Sequence, residues 1–275
     1  MTVDVEEYFH VSAFARDIDP KTWGDLKSRV VQSVSRILDI FDDHDLKGTF
    51  FVLGWVAARH PQLVRRIFDR GHEIACHGYS HQLIYNQSYK DFEIETLMAK
   101  KLLEDTIGQP VIGYRAASYS ITQDSLWALD ILCEAEFKYD SSIFPVHHDT
   151  YGIRNANRYP HIMTLESGKE ITEFPITTFR LGPIQLPVGG GGYFRLYPYQ
   201  LSRFTLASIN RNNAPFIFYM HPWEIDPDQP RVKSNFLSTF RHYNNIEKFE
   251  PRLKKLLRDF RFARVDKVLQ NAGLL

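Results

Sequence analysis

The sequence predicts an α/β fold built on a parallel sheet. Short apolar runs with strand character alternate with amphipathic helical segments along most of the chain. That β-α-β-α rhythm belongs to parallel sheets, whose strands are joined by helical crossovers. Polar, chemically useful residues also follow four of the predicted strands, which is where functional groups gather in such folds.

Residues 1–5 read as the first strand. Leu26, Val30, Val34, Ile37, Leu38 and Phe41 fall on one face of a helix. Residues 48–53 form a buried strand, residues 56–69 a helix closed by Gly71, and residues 72–75 the next strand. Ser88 is placed to cap a helix carrying Phe92, Leu97, Met98 and Leu102. A strand over 111–114 and a helix over 122–136 follow. Residues 216–220 are the clearest strand of the chain and end at His221. A helix over 246–258, a short strand and a last helix complete the pattern. Between residues 145 and 198 the rhythm fails, in a stretch rich in Gly, Pro, Tyr and Arg that contains Gly189 to Gly192. The expectation is one catalytic domain over residues 1–275, with 145–198 as a loop and β insertion over the site.

Bulk properties exclude several function classes. The chain has 275 residues, 44% of them hydrophobic, enough for a large core. Lys+Arg and Asp+Glu balance at 33 each, so there is no basic excess for nucleic acid. No apolar run has the length of a membrane span, and the first residues are charged rather than leader-like; the expectation from these is a cytoplasmic protein. Two cysteines, Cys76 and Cys133, make no disulfide framework. The oligomeric state is not legible.

The chemistry is concentrated at strand ends. His77 and His81 stand four residues apart, seventy residues after Asp4 and Glu6. Two histidines and a carboxylate form an open metal site that leaves a position for water, the pattern of a zinc hydrolase. Asp4 and Glu6 share a strand face, so one carboxylate is free to bind metal while the other acts as a base; the residues alone leave open which does which. Glu7 points the other way and reads as structural, as does His72. Cys76, beside the histidines, reads as a small buried residue. Arg115 is placed to hold Asp4 in orientation. His221 suits protonation of a leaving amine. The glycine run lets backbone approach a ligand closely.

Together these residues resemble the polysaccharide deacetylases of carbohydrate esterase family 4, the NodB-homology domain. The family's first motif corresponds to Asp4-Val5-Glu6, its second to His77-Gly78-Tyr79-Ser80-His81, its third to Arg115-Ala116-Ala117-Ser118, and its last to Phe218-Tyr219-Met220-His221. Three departures stand out: Val5 where a second aspartate is usual, Gly78 where a hydroxyl residue is usual, and no proline after Arg115. The segments Val3 to Phe9 and His221 to Pro227 look like a bacterial subgroup found with exopolysaccharide assembly and exosortase systems. The resemblance implies a distorted, incomplete (β/α) barrel and hydrolysis of N-acetyl groups on N-acetylhexosamine units of a glycan. It implies Glu6, His77 and His81 as ligands of one divalent metal, zinc; Asp4 as base, positioned by Arg115; and His221 as acid. It further implies a backbone N–H near Ser118 at the oxyanion, Tyr193 and Trp223 stacking on sugar rings, and Asp140 as the fourth motif. Two alternatives are an amidohydrolase acting on a small amide and a catalytically silent glycan-binding domain.

Overall fold

The structure, a computed structural model, describes residues 1–146 and 151–275. Its strands are β1 Thr2–Val5, β2 Thr49–Val52, β3 Glu73–Cys76, β4 Gly113–Tyr114, β5 Tyr139–Asp140, β6 His161–Thr164, β7 Glu170–Glu173, β8 Thr178–Leu181, β9 Ile184–Pro187 and β10 Tyr219–Met220. Eight of them form one sheet in the order β10-β1-β2-β3-β4-β5-β7-β6, and all neighbours are parallel except β6 and β7. The edge strands β10 and β6 do not pair, so the curled sheet is an incomplete barrel. The helices are α1 Val30–Asp42, α2 Gly54–Arg59, α3 Pro61–Asp69, α4 Tyr89–Ile107, α5 Trp127–Glu134, α6 Gly191–Leu196, α7 Tyr199–Arg211, α8 Phe236–Tyr243, α9 Phe249–Asp259 and α10 Val265–Asn271. Among the described residues, no helix is long and apolar enough to cross a membrane.

The two faces of the sheet are set by alternation. Val3, Val5, Phe50, Val52 and Ile74 pack against Val34, Ile37, Phe41, Val64, Ile67 and Leu103 of the helices. Phe51, Ala75, Tyr139 and Tyr219 face the other way, into the curl, with Phe144, Phe174 and Leu269. Asp4 lies in register with Phe51 and so shares the inner face.

Several expected elements take different bounds, each for a local reason. The helix expected over 56–69 is two helices, because Pro61 opens α3 and the residue before it, His60, leaves helical geometry at φ −131°, ψ 56°. In α4, Ser88 caps the start by accepting from Asp91 N–H, and Gly108 ends the helix at φ 71°. Its buried stripe is Phe92, Thr96, Ala99, Lys100, Leu103 and Ile107. Leu97 and Met98 fall outside that stripe and are 46% and 44% exposed. The strand expected over 111–114 shortens to β4. The strand expected over 216–220 shortens to β10, since Ile217 N–H bonds the Thr177 hydroxyl instead of a neighbouring strand. The helix over 122–136 divides into a 3₁₀ turn and α5. The last helical region starts with a 3₁₀ turn before α9, and no strand follows α9.

The expected insertion is partly main sheet. β6 and β7 form a hairpin, and β7 extends the sheet beside β5; β8 and β9 form a separate hairpin. Residues 147–150 of that stretch lie outside the described residues. The glycine run does permit a close approach, but to the chain's own backbone. Gly190 bridges to Tyr219 at φ 129°, and a Cβ there would sit 2.0 Å from the Tyr219 carbonyl oxygen.

Candidate active site

The site lies at the carboxyl ends of β10, β1, β3 and β4. β1 delivers Asp4 and stops at Val5, where Glu6 N–H turns back to the Asp4 carbonyl at 3.0 Å. Glu6 therefore sits just past the strand rather than on its alternation, and still points inward at 2% exposure. β3 ends at Cys76 and delivers His77; Gly78 at φ 71° and His81 at φ 55° turn the chain so that the second histidine faces the first.

One ligand atom from each of Glu6, His77 and His81 lies within 4.8 Å of the others. His81 Nε2 is 2.6 Å from Glu6 Oε2, yet no well-directed hydrogen bond reaches that buried oxygen. His77 Nδ1 is 2.8 Å from the Arg115 carbonyl oxygen, an acceptor only, so Nδ1 carries the hydrogen and Nε2 keeps its lone pair. Burial disfavours the imidazolium of His77 and lowers its pKa to about 4. Burial opposes ionisation of Glu6, but the charges of His81, His221 and His77 outweigh it and hold the carboxyl well below its usual range. A carboxylate and two imidazoles converging with an orphaned oxygen are the donor set of a divalent transition metal, and the residues fit one.

Asp4 is not part of that set. Its Oδ1 accepts from Arg115 Nη1 at 2.7 Å. Arg115 is fully buried, its Nε and Nη2 donate to Ser141, and its guanidinium lies 4.0 Å above the Phe51 ring. Oδ2 of Asp4 faces His221 Nε2 at 3.9 Å, and that nitrogen is 3.6 Å from Glu6 Oε1. Burial alone would lower the His221 pKa, but its hydrogen bond to Glu224 and the charges of Glu6, Glu224 and Asp4 raise it to about 9. Glu224 is held in turn by buried Arg195 at 2.8 Å.

The remaining expected residues divide. Ser118 lies three residues after Arg115 at φ 50°, with its hydroxyl 2.6 Å from that of Ser12. Tyr193 is half-buried, its hydroxyl 3.2 Å from that of Tyr151. Trp223 does not present a face to a sugar. It is 6% exposed and sandwiched between His221 and His242, with ring centroids at 4.9 and 4.1 Å, and its Nε1 donates to Glu6 Oε1 at 3.3 Å. Asp140 likewise meets no substrate face: it is fully buried at the end of β5 and bonded to Ser142 at 2.6 Å. Glu7 is structural, accepting from the N–H groups of Arg29 and Val30 at the start of α1. His72 accepts from Gly48 N–H. Cys76 is buried outside the ligand cluster, and burial pushes its thiol up to about 12.

Sequence reasoning missed four supporting residues. Ser141 and Ser142 carried no signal beyond their place after a strand. Glu224 carried one, since an acid three residues after His221 has capping-box spacing. His10 is buried beside His81 between Trp23 and Trp55, its Nδ1 taken by Glu7 N–H; an aromatic loop gives no sequence cue for that.

Residues 22–132 match the family model described as polysaccharide deacetylase, and residues 141–270 match a domain of unknown function (DUF3473). A peptidoglycan deacetylase of Helicobacter pylori is 27% identical over 129 residues, 47% of this chain and 43% of that protein. A chitooligosaccharide deacetylase of Sinorhizobium fredii is 31% identical over 90 residues, 33% of this chain and 42% of that protein. The chain thus spans less than half the length of these relatives. A solved structure from Mycobacterium smegmatis, provisionally assigned as a polysaccharide deacetylase, superposes with a TM-score of 0.63 at 20% identity, over 98% of this chain and 88% of that one. PuuE allantoinase superposes with a TM-score of 0.59 at 15% identity, over 86% of this chain and 71% of that one. At such identities the likeness is one of fold.

Proposed function

The chain carries a polysaccharide deacetylase domain of the NodB-homology type, and from that premise we propose that residues 1–275 act as one metal-dependent hydrolase that removes N-acetyl groups from N-acetylhexosamine units of a bacterial glycan, an exopolysaccharide in our reading. The observation that carries the proposal is the convergence of Asp4, Glu6, His77, His81 and His221 from three strand ends. The relatives named for peptidoglycan and chitooligosaccharide support the acetamido sugar as substrate class.

Glu6, His77 and His81 are the residues that would hold the metal, zinc in this reading. A divalent ion there supplies Lewis acidity toward the acetyl oxygen and lowers the pKa of water. Asp4 takes the proton of the attacking water at Oδ2, because Oδ1 is engaged by Arg115. Ser118 N–H lies on the loop that offers a donor to the developing oxyanion. His221 delivers a proton from Nε2 to the amine nitrogen as the C–N bond breaks, so the products are acetate and the free amino sugar. Its Nδ1 is fixed by Glu224, which keeps Nε2 aimed at the site. Tyr193 is kept in this reading as a contact for the sugar.

The test pairs metal analysis with acetate release from N-acetylated oligosaccharides and with ring-opening hydrolysis of a small cyclic amide such as allantoin. We expect one metal ion per chain, acetate from the oligosaccharide, and loss of the metal in His77→Ala and His81→Ala. Unchanged metal content in both variants would remove the ligand assignment. Turnover of the small amide alone would replace the glycan with the amidohydrolase reading.

A further inference from the structure

The bond that orients His77 does not end at Arg115. The peptide joining Arg115 to Ala116 is gripped on both sides: its carbonyl accepts from His77 Nδ1 at 2.8 Å, and its N–H donates to Ser142 Oγ at 2.7 Å. The hydroxyl hydrogen of Ser142 goes to Asp140 Oδ1 at 2.6 Å, and Asp140 Oδ2 accepts Ser142 N–H at 3.1 Å. Asp140 stands opposite Glu173 in the β5–β7 pairing with both carboxyl groups buried, and among the described residues no N–H or hydroxyl donor reaches Glu173 Oε2. Glu173 Oε1 accepts from Ile143 N–H at 3.1 Å. Ser142, Asp140 and Glu173 are all fully buried.

Two carboxyl groups in contact in such a setting keep a proton between them. Burial and the neighbouring Asp140 push Glu173 well above the carboxylate range, so Glu173 is the donor and Asp140 the acceptor. The direction of every hydrogen from Glu173 to the Ser142 hydroxyl is then fixed. Ser142 Oγ has its own hydrogen committed to Asp140 and presents only lone pairs to Ala116 N–H.

We propose that Ser142, backed by the Asp140–Glu173 pair, is a positioning residue for His77, fixing the Arg115–Ala116 peptide and through it the tautomer and ring orientation of the metal-binding imidazole. The inference rests on His77 being a metal ligand. It gives a role to the segment matched by the domain of unknown function: Ser142 and Glu173 lie within it, and β7 brings Glu173 against β5. Partners that orient a ligating histidine are typically worth about 10–100-fold in metal affinity.

The test titrates metal-free chain with Zn²⁺ against a chromophoric chelator, with circular dichroism to establish folding. The wild type is expected to bind one ion, and folded Ser142→Ala to bind it about 10–100-fold more weakly. Glu173→Gln, whose amide still donates to Asp140, is expected to stay near the wild type, and Glu173→Ala to fall with Ser142→Ala. The ring Nδ1–H proton resonance of His77, held by the Arg115 carbonyl, should be present in metal-free wild type and lost to exchange in Ser142→Ala. If the wild type binds no metal, the ligand assignment itself fails. If the wild type binds and folded Ser142→Ala binds equally well with its Nδ1–H signal intact, the positioning role fails. Should Ser142→Ala not fold, wild-type affinity in folded Glu173→Ala overturns the proposal in its place.

Discussion

Arg115 Nη1 and Asp4 Oδ1 are 2.7 Å apart with the two side chains 0% and 2% exposed, a fully buried ion pair beside the candidate metal ligands. The pair fixes one oxygen of Asp4 and leaves the other toward His221. Breaking a buried pair from one side leaves an uncompensated charge, which costs about 3–5 kcal/mol. Arg115→Ala should therefore destabilise the fold by that order, read from denaturant midpoints. Asp4→Asn keeps the shape and a hydrogen-bond acceptor for Arg115. It should retain the metal and lose activity by about a hundredfold or more. Metal loss in Asp4→Asn together with retention in Glu6→Gln would exchange the two roles.

His221→Ala should separate substrates by leaving group. An amine leaves only when protonated, whereas a phenolate leaves unaided. The variant should lose about a hundredfold or more on an N-acetyl glycan and far less on an aryl acetate. Equal losses on the two substrates would remove the acid role and make His221 a residue that binds or supports.

Gly190→Ala should act on folding before it acts on substrate. The new methyl would meet the Tyr219 backbone at 2.0 Å, in a conformation at φ 129° that side chains avoid. A destabilisation of at least about 2 kcal/mol is expected, with metal binding lost alongside as β10 shifts. A stable variant with intact metal and weakened substrate use would restore the reading of the glycine run as a place where backbone approaches a ligand.

Glu73 supplies a pH dependence that can be signed. Burial and the neighbouring Asp266 raise its pKa from the ordinary 4.5 to about 7. A group raised on folding stabilises fully below its unfolded pKa and loses that contribution as pH rises through the folded one. The window is thus about pH 4.5 to 7. Wild type should lose stability across it relative to Glu73→Gln, by up to about 3 kcal/mol. Parallel denaturant midpoints for the two proteins at pH 5 and pH 8 would contradict this.

The sequence shows the strand ends well and the inward neighbours badly. Asp4, His77, Arg115 and His221 were legible because each polar residue interrupts an apolar run at the point where a parallel strand must end. Trp223 and Asp140 sit in equally suggestive places, yet one is stacked between histidines and the other bonded to Ser142 beneath the site. Nothing in local composition tells a strand-end residue that faces solvent from one that faces its own chain. The hairpin of β6 and β7 escaped notice because its two four-residue strands mix polar with apolar residues, and β7 joins the sheet only through the distant β5. The break at Pro61 was readable, since the proline sits inside the helical pattern, but periodicity alone ran across it.

The pairing of β1 with β10 sets an order of events. Thr2 meets Tyr219 and Val3 meets Met220, so the carboxylates and the acid come together only when segments more than two hundred residues apart in the chain have docked. Contacts of such separation form slowly, after the local β-α units have collapsed. During synthesis His77 and His81 emerge more than a hundred residues before His221, next to a Glu6 whose strand still lacks its outer neighbour. A growing chain thus presents the two histidines proposed as metal ligands long before it holds the group proposed to protonate the amine, and on that reading hydrolytic competence arrives as a late step of folding.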